Sequence, residues 1–166
     1  MIFATVGTQL PFDRMVAALD EWAGSQPGRE VFAQVGPGKF TPRHIEHRAF
    51  IAPAECRARM FAADAIVAHA GMGSILTALE MGKPLVVVPR RASLGEHRND
   101  HQLATARRFA ETGRLLVAFN EWQLADRLDE LQRRGRPERI SPFASDQLIT
   151  ALRRFIDGDD GTPLAA

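Results

Sequence analysis

The chain has one cysteine, Cys56, in 166 residues, so no internal disulfide can form, and a reducing compartment is expected. Lysine is almost absent. Lys39 and Lys83 are the only two among 21 basic residues, a bias with no functional message of its own. The formal net charge is only +1, which leaves no global field to draw the chain to nucleic acid, and none is expected as a partner. No apolar run approaches the roughly 20 residues that a transmembrane helix needs. The opening Met1-Ile2-Phe3-Ala4-Thr5-Val6-Gly7 has no basic stretch ahead of it and reads as a strand, not a signal peptide. The expected location is therefore cytoplasmic, with any membrane role acting through a partner.

What is present is an ordinary globular composition, 45% apolar and 25% charged, in a length that fits one domain and one sizeable core. Short β-rich runs alternate with helical patterns. Strands are predicted at Ile2–Val6, Val31–Val35, Arg48–Ala52 (the weakest), Ala65–Ala68, Leu85–Val88 and Leu115–Ala118. Between them, Met15, Leu19 and Trp22 share one helical face, and further helices are predicted over Pro53–Ala63, Gly73–Met81 and Asn99–Thr112. Asn120 is placed to cap the helix after the last strand, and a terminal helix is predicted over Asp146–Ile156. Continuous apolar strands joined by helices imply an α/β fold, a single Rossmann-like doubly wound parallel sheet of about six strands. The domain is expected to span residues 1–157, with 158–166 a flexible tail.

In such a sheet a ligand lies at the carboxyl ends of the strands, and two glycine-bearing loops meet there. His69-Ala70-Gly71-Met72-Gly73-Ser74 joins a buried strand to a helix. Its glycines allow close backbone approach, and the unpaired helix N–H groups favour an anion such as a diphosphate. A tight turn with a satisfied histidine fits the same local pattern, and both readings stand at this point. Gly7-Thr8-Gln9 follows the first strand without the second and third glycines of the dinucleotide fingerprint, which counts against nicotinamide and flavin cofactors. His97 and His101, four apart in a polar run, lack a carboxylate or cysteine at ligand spacing, so no metal is expected. That run either binds sugar hydroxyls or simply opens a solvated helix. Cys56 falls in a first helical turn, where a thiol of lowered pKa is the alternative to a plain helical cysteine.

In order along the chain stand Ile2–Gln9 with Pro11-Phe12-Asp13, then His69–Ser74, Gly82-Lys83-Pro84-Leu85-Val86-Val87-Val88-Pro89, and Asn99-Asp100-His101-Gln102-Leu103-Ala104-Thr105-Ala106. Together they resemble the C-terminal domain of glycosyltransferase family 28, the nucleotide-sugar-binding half of the GT-B fold, over roughly residues 1–120. The likeness is strongest to stand-alone versions of this half, soluble subunits of two-part enzymes that extend dolichol diphosphate or build bacterial capsule and exopolysaccharide units on a lipid carrier. It implies a UDP-sugar donor and no cofactor. It also implies a membrane-associated partner subunit that binds a lipid-linked saccharide acceptor and recruits this chain to the cytoplasmic face.

Carried over by position, His69 and the amides of Gly71, Met72, Gly73 and Ser74 meet the donor diphosphate, with Gly7 and Thr8 lining the same cleft. His101 and Gln102 fall where relatives contact the donor sugar. Relatives carry a ribose-binding glutamate at the position of Thr77, and the nearby acid here is Glu80, three residues later. Arg90, Glu96 and Arg98 belong to the neighbouring loop without an assigned role. The resemblance implies metal-independent hexosyl transfer that requires the partner, which supplies the general base. The rival reading is a non-catalytic nucleotide-binding subunit. An epimerase or a Rossmann oxidoreductase fits the length and glycine pattern less well. A partner-binding face also makes a homodimer of the isolated chain an expectation.

Overall fold

A computed structural model describes residues 1–157. Six strands, β1 (Ile2–Thr5), β2 (Val31–Gln34), β3 (Glu46–Arg48), β4 (Ala65–His69), β5 (Leu85–Val88) and β6 (Leu116–Val117), form one sheet in the order β3-β2-β1-β4-β5-β6. Every pairing is parallel. The helices are α1 (Asp13–Gly24), α2 (Pro53–Ala62), α3 (Met72–Glu80), α4 (His101–Thr112), α5 (Gln123–Arg133) and α6 (Asp146–Ile156), with a short 3-10 turn at Ala92–Leu94. This is the expected doubly wound order, with its switch point between β1 and β4. The expected tail over 158–166 lies outside the described residues.

The two-residue period of the strands divides the core into two layers. Ile2, Ala4, Val67, Val86 and Val88 face α1 and α5, where Met15, Leu19, Trp22, Leu124 and Leu128 are buried. Phe3, Phe32, Ile66, Ala68, Leu85 and Val87 face the other way, onto Met60, Ile75, Leu79 and Ala106. Asn120 accepts from the Gln123 N–H (3.0 Å) while the Gln123 side chain accepts from the Phe119 N–H (2.8 Å), a reciprocal cap at the start of α5.

The third strand differs from its prediction. It runs Glu46–Arg48, not Arg48–Ala52, pairing Phe32 with Glu46 and Gln34 with Arg48. At a sheet edge, backbone pairing and charge outweigh apolar content, and Phe50 in the predicted run is 51% exposed. The fourth helix begins at His101, two residues after its predicted start, because Asn99 and Asp100 are used as acceptors at its entrance. α6 has its predicted bounds but no buried residue, and leaves Leu148, Leu152, Phe155 and Ile156 exposed along one side. Among the described residues, no helix is long and apolar enough to cross a membrane.

Candidate functional site at the switch point

At the carboxyl ends of β1, β2 and β4 lies a crevice of about 700 Å³, within the ordinary range for small-molecule sites. Its floor is Gly7-Thr8-Gln9 after β1, and its wall is the start of α3. No side chain caps α3. The Ile75 N–H donates to the Gly71 carbonyl at 3.1 Å, so the amides of Met72, Gly73 and Ser74 precede the ladder and stand at the open helix end.

His69 ends β4 at the junction of the two loops. A Cβ on Gly71 would collide with its imidazole, and one on Gly7 would lie 2.9 Å from its Cε1. Gly7 also has φ +80°, which glycine alone adopts without penalty. Both glycines are therefore required for the ring to sit where it does. Burial, reinforced by the positive charge of Arg90, lowers His69 to about 4, so the imidazole is neutral at pH 7. Its buried Nδ1 has no partner among the described residues.

Of the residues expected from the sequence, Gly7, Thr8, His69, Gly71, Gly73, Ser74, Thr77, His101 and Gln102 all line this crevice. Met72 stands at the same helix start with its side chain 47% exposed and not among the lining residues, so only its amide is placed for the expected role. Glu80 lines a different groove, with Ala54, Arg57, Phe61, Met81 and Arg139. Thr77 and Glu80, three residues apart on α3, differ by only about 60° around the helix axis, but Glu80 stands about 4.5 Å farther from the helix start. Glu80 is thus displaced along the axis toward that neighbouring groove, which shares Arg57 with the crevice.

Gln102 is 4% exposed and its Oε1 accepts from the Arg90 N–H at 3.2 Å, which leaves its amide nitrogen as the end available to a ligand. His101 packs edge to face on His97, ring centroids 4.4 Å apart, at the far rim. Burial, then the neighbouring His101 and Arg90, lowers the His97 pKa.

Other residues in the crevice went unassigned in the sequence. Gln34 donates to the Gly7 carbonyl (3.1 Å) and accepts from the Ile51 N–H (3.3 Å), tying the loops after β1 and β3 together. A polar residue inside the apolar run Val31–Val35 was the available signal. Arg57 and Cys56 bring α2 to the rim. Burial pushes the Cys56 thiol up, opposite to a reactive first-turn thiol. Arg90, an arginine directly after Val86-Val87-Val88-Pro89, is 3% exposed.

Three histidines and two arginines line the crevice, with no carboxylate among its described lining residues. The two arginines, the helix-end amides and the lack of a carboxylate favour an anion over a cation in this crevice. No group of three or more His, Cys, Asp or Glu able to hold a metal occurs among the described residues.

The chain is 31% identical over 124 residues to the human (Homo sapiens) UDP-N-acetylglucosamine transferase subunit ALG13, a match covering 69% of this chain and 10% of that protein. The mouse (Mus musculus) protein of the same name is 32% identical over 123 residues, 68% of this chain and again 10% of the relative. The chain thus spans about a tenth of the length of these curated relatives. Among solved structures, the NMR structure of ALG13 superposes with a TM-score of 0.57 at 19% identity, over 91% of this chain and 93% of that one. The glycotransferase of kitacinnamycin gives 0.57 at 22% identity, over 95% of this chain and 40% of that one, a likeness of fold. The model of the glycosyltransferase family 28 C-terminal domain matches residues 1–145, and the chain belongs to that family.

Proposed function

We propose that the chain is the donor-binding subunit of a two-part glycosyltransferase, holding a UDP-sugar in the crevice between β1 and β4 for transfer of its hexosyl group to a lipid-linked saccharide. The observation that carries this is the carboxylate-free crevice, with the Gly71–Ser74 helix start and neutral His69 converging on one place. The name of the human relative, a UDP-N-acetylglucosamine transferase subunit, supports a UDP-sugar as donor.

As the glycosidic bond to the diphosphate breaks, negative charge grows on the leaving oxygen. Preformed amide donors and the α3 dipole stabilise that charge at the moment it develops, without a metal. Neutral His69 adds an N–H donor. A group held near 4 is a weak proton acceptor at neutral pH, so His69 is poorly suited to deprotonate the acceptor hydroxyl. The general base belongs, on this reading, to the acceptor-binding partner.

The exposed apolar side of α6, Leu148, Leu152, Phe155 and Ile156, supports a heteromer. The partner, itself membrane-associated, recruits this chain to the cytoplasmic face and into polysaccharide or glycolipid synthesis. The test is co-expression with candidate acceptor-binding subunits, followed by an assay of sugar transfer from a UDP-sugar panel to membrane lipid. Transfer by the pair and not by either chain alone is expected. Nucleotide binding without transfer by any pair would instead leave a non-catalytic binding subunit.

A further inference from the structure

Arg90 lies behind the crevice with its guanidinium spent on backbone. It donates to the carbonyls of Val6 (2.7 Å), Leu10 (2.8 Å), Pro11 and Glu96 (3.3 Å). Its plane also packs over Phe12, 4.6 Å from the ring centroid. Four carbonyls from two loops converge on one cation, so Arg90 fixes the path of residues 6–11, which form the crevice floor, against the loop after β5.

Among the described residues, the charge of this residue is not neutralised by an ion pair. The nearby carboxylate, Glu96, is taken by Arg14 at 2.7 and 2.8 Å and by the Arg91 N–H at 2.9 Å. Arg14 also pairs with Glu121 at 2.9 Å. Arg14 alone pairs with both Glu96 and Glu121, and Arg91 meets Glu96 only through its backbone N–H, so neither carboxylate forms an ion pair with the Arg90 guanidinium. A buried guanidinium held only by dipoles is costly unless a countercharge arrives. Arg90 lines the crevice, and His69 beside it carries no charge at pH 7.

We infer that Arg90 is a positioning and charge-supplying residue of the donor site, whose missing counterion is the diphosphate of the bound nucleotide. The inference rests on the donor-binding reading above. Arg90 acts without replacing the helix-end amides. It sets the Gly7-Thr8 floor through carbonyls and raises the positive potential where the diphosphate lies.

The test compares UDP with uridine, which shares the base and ribose but is uncharged, on the full chain by calorimetry. In wild type UDP binds more tightly than uridine. Arg90→Gln is expected to weaken UDP by at least about tenfold more than it weakens uridine, while Arg90→Lys keeps the UDP-to-uridine ratio within about threefold of wild type. Equal losses for both ligands in Arg90→Gln would reduce Arg90 to a scaffold and overturn the inference. Should Arg90→Gln fail to fold, inorganic pyrophosphate on the wild-type chain decides. Displacement of UDP by pyrophosphate at millimolar concentration is expected, and its absence while UDP still binds would overturn the charge-supplying role. A wild-type chain that binds neither UDP nor any UDP-sugar sinks the donor-binding reading itself.

Discussion

The imidazole of His69 closes over Gly7: a Cβ built on Gly7 lies 2.9 Å from His69 Cε1, so the end of β4 and the loop after β1 share one packed contact. Gly7→Ala would have to adopt φ +80° and push this ring away. The expected cost is about 1–3 kcal/mol of stability, together with loss of UDP binding. Denaturant unfolding and calorimetry on the same preparation measure both.

Gly73 is the converse case. A Cβ there meets nothing within 4 Å, so a side chain at this position enters open space at the crevice. Gly73→Asp is expected to leave stability within about 1 kcal/mol, since an acid in the first helical turn suits the dipole. It should nonetheless abolish stabilisation by UDP, because the carboxylate occupies the anion site. Retained UDP stabilisation in a thermal-shift assay would move the site elsewhere.

Thr77 lines the crevice one turn after Gly73 and Ser74, while Glu80 faces another groove. A threonine offers the ribose diol one hydroxyl in place of a two-oxygen acceptor. UDP and 2′-deoxy-UDP are therefore expected to bind within about threefold of each other. Thr77→Glu should restore preference for UDP by about tenfold. A strong wild-type preference for the ribonucleotide would show that another group reads the diol.

His69 makes stability pH-dependent with a definite sign. Its pKa is about 4 folded against 6.5 in the unfolded chain, so between these values the unfolded state binds the extra proton. Stability is unaffected above about pH 6.5, falls as the pH drops toward 4, and levels off below that, for a loss of about 3 kcal/mol at most. His69→Gln should remove this component. Unfolding curves from pH 7 to 4 that are parallel for both proteins would contradict it.

The core strands were legible because burial on both faces writes a continuous apolar run, as in Leu85–Val88 and Ile66–Ala68. The third strand was not, because Glu46–Arg48 is selected by the free edge of β2 and not by its own side chains. Nine of the expected site residues meet in the crevice because they lie at a strand end or in the loop and helix that follow one, where parallel topology gathers them. Glu80 lines a different groove because of its position along α3. Three residues along a helix keep a side chain near the same face but move it about 4.5 Å along the axis, here toward the next groove.

Local pattern alone is enough to write the parallel α/β sheet, the place of its crevice and the glycine loop at the head of α3. The electrostatics of the crevice depend instead on packing between distant segments. His69 is neutral because of what buries it, and Arg90 has no ion-pair partner among the described residues because the Arg14 guanidinium has already engaged Glu96. Such assignments arise from contacts between residues about 80 positions apart, such as Arg14 with Glu96 and Arg90 with Val6, whose proximity no local pattern encodes.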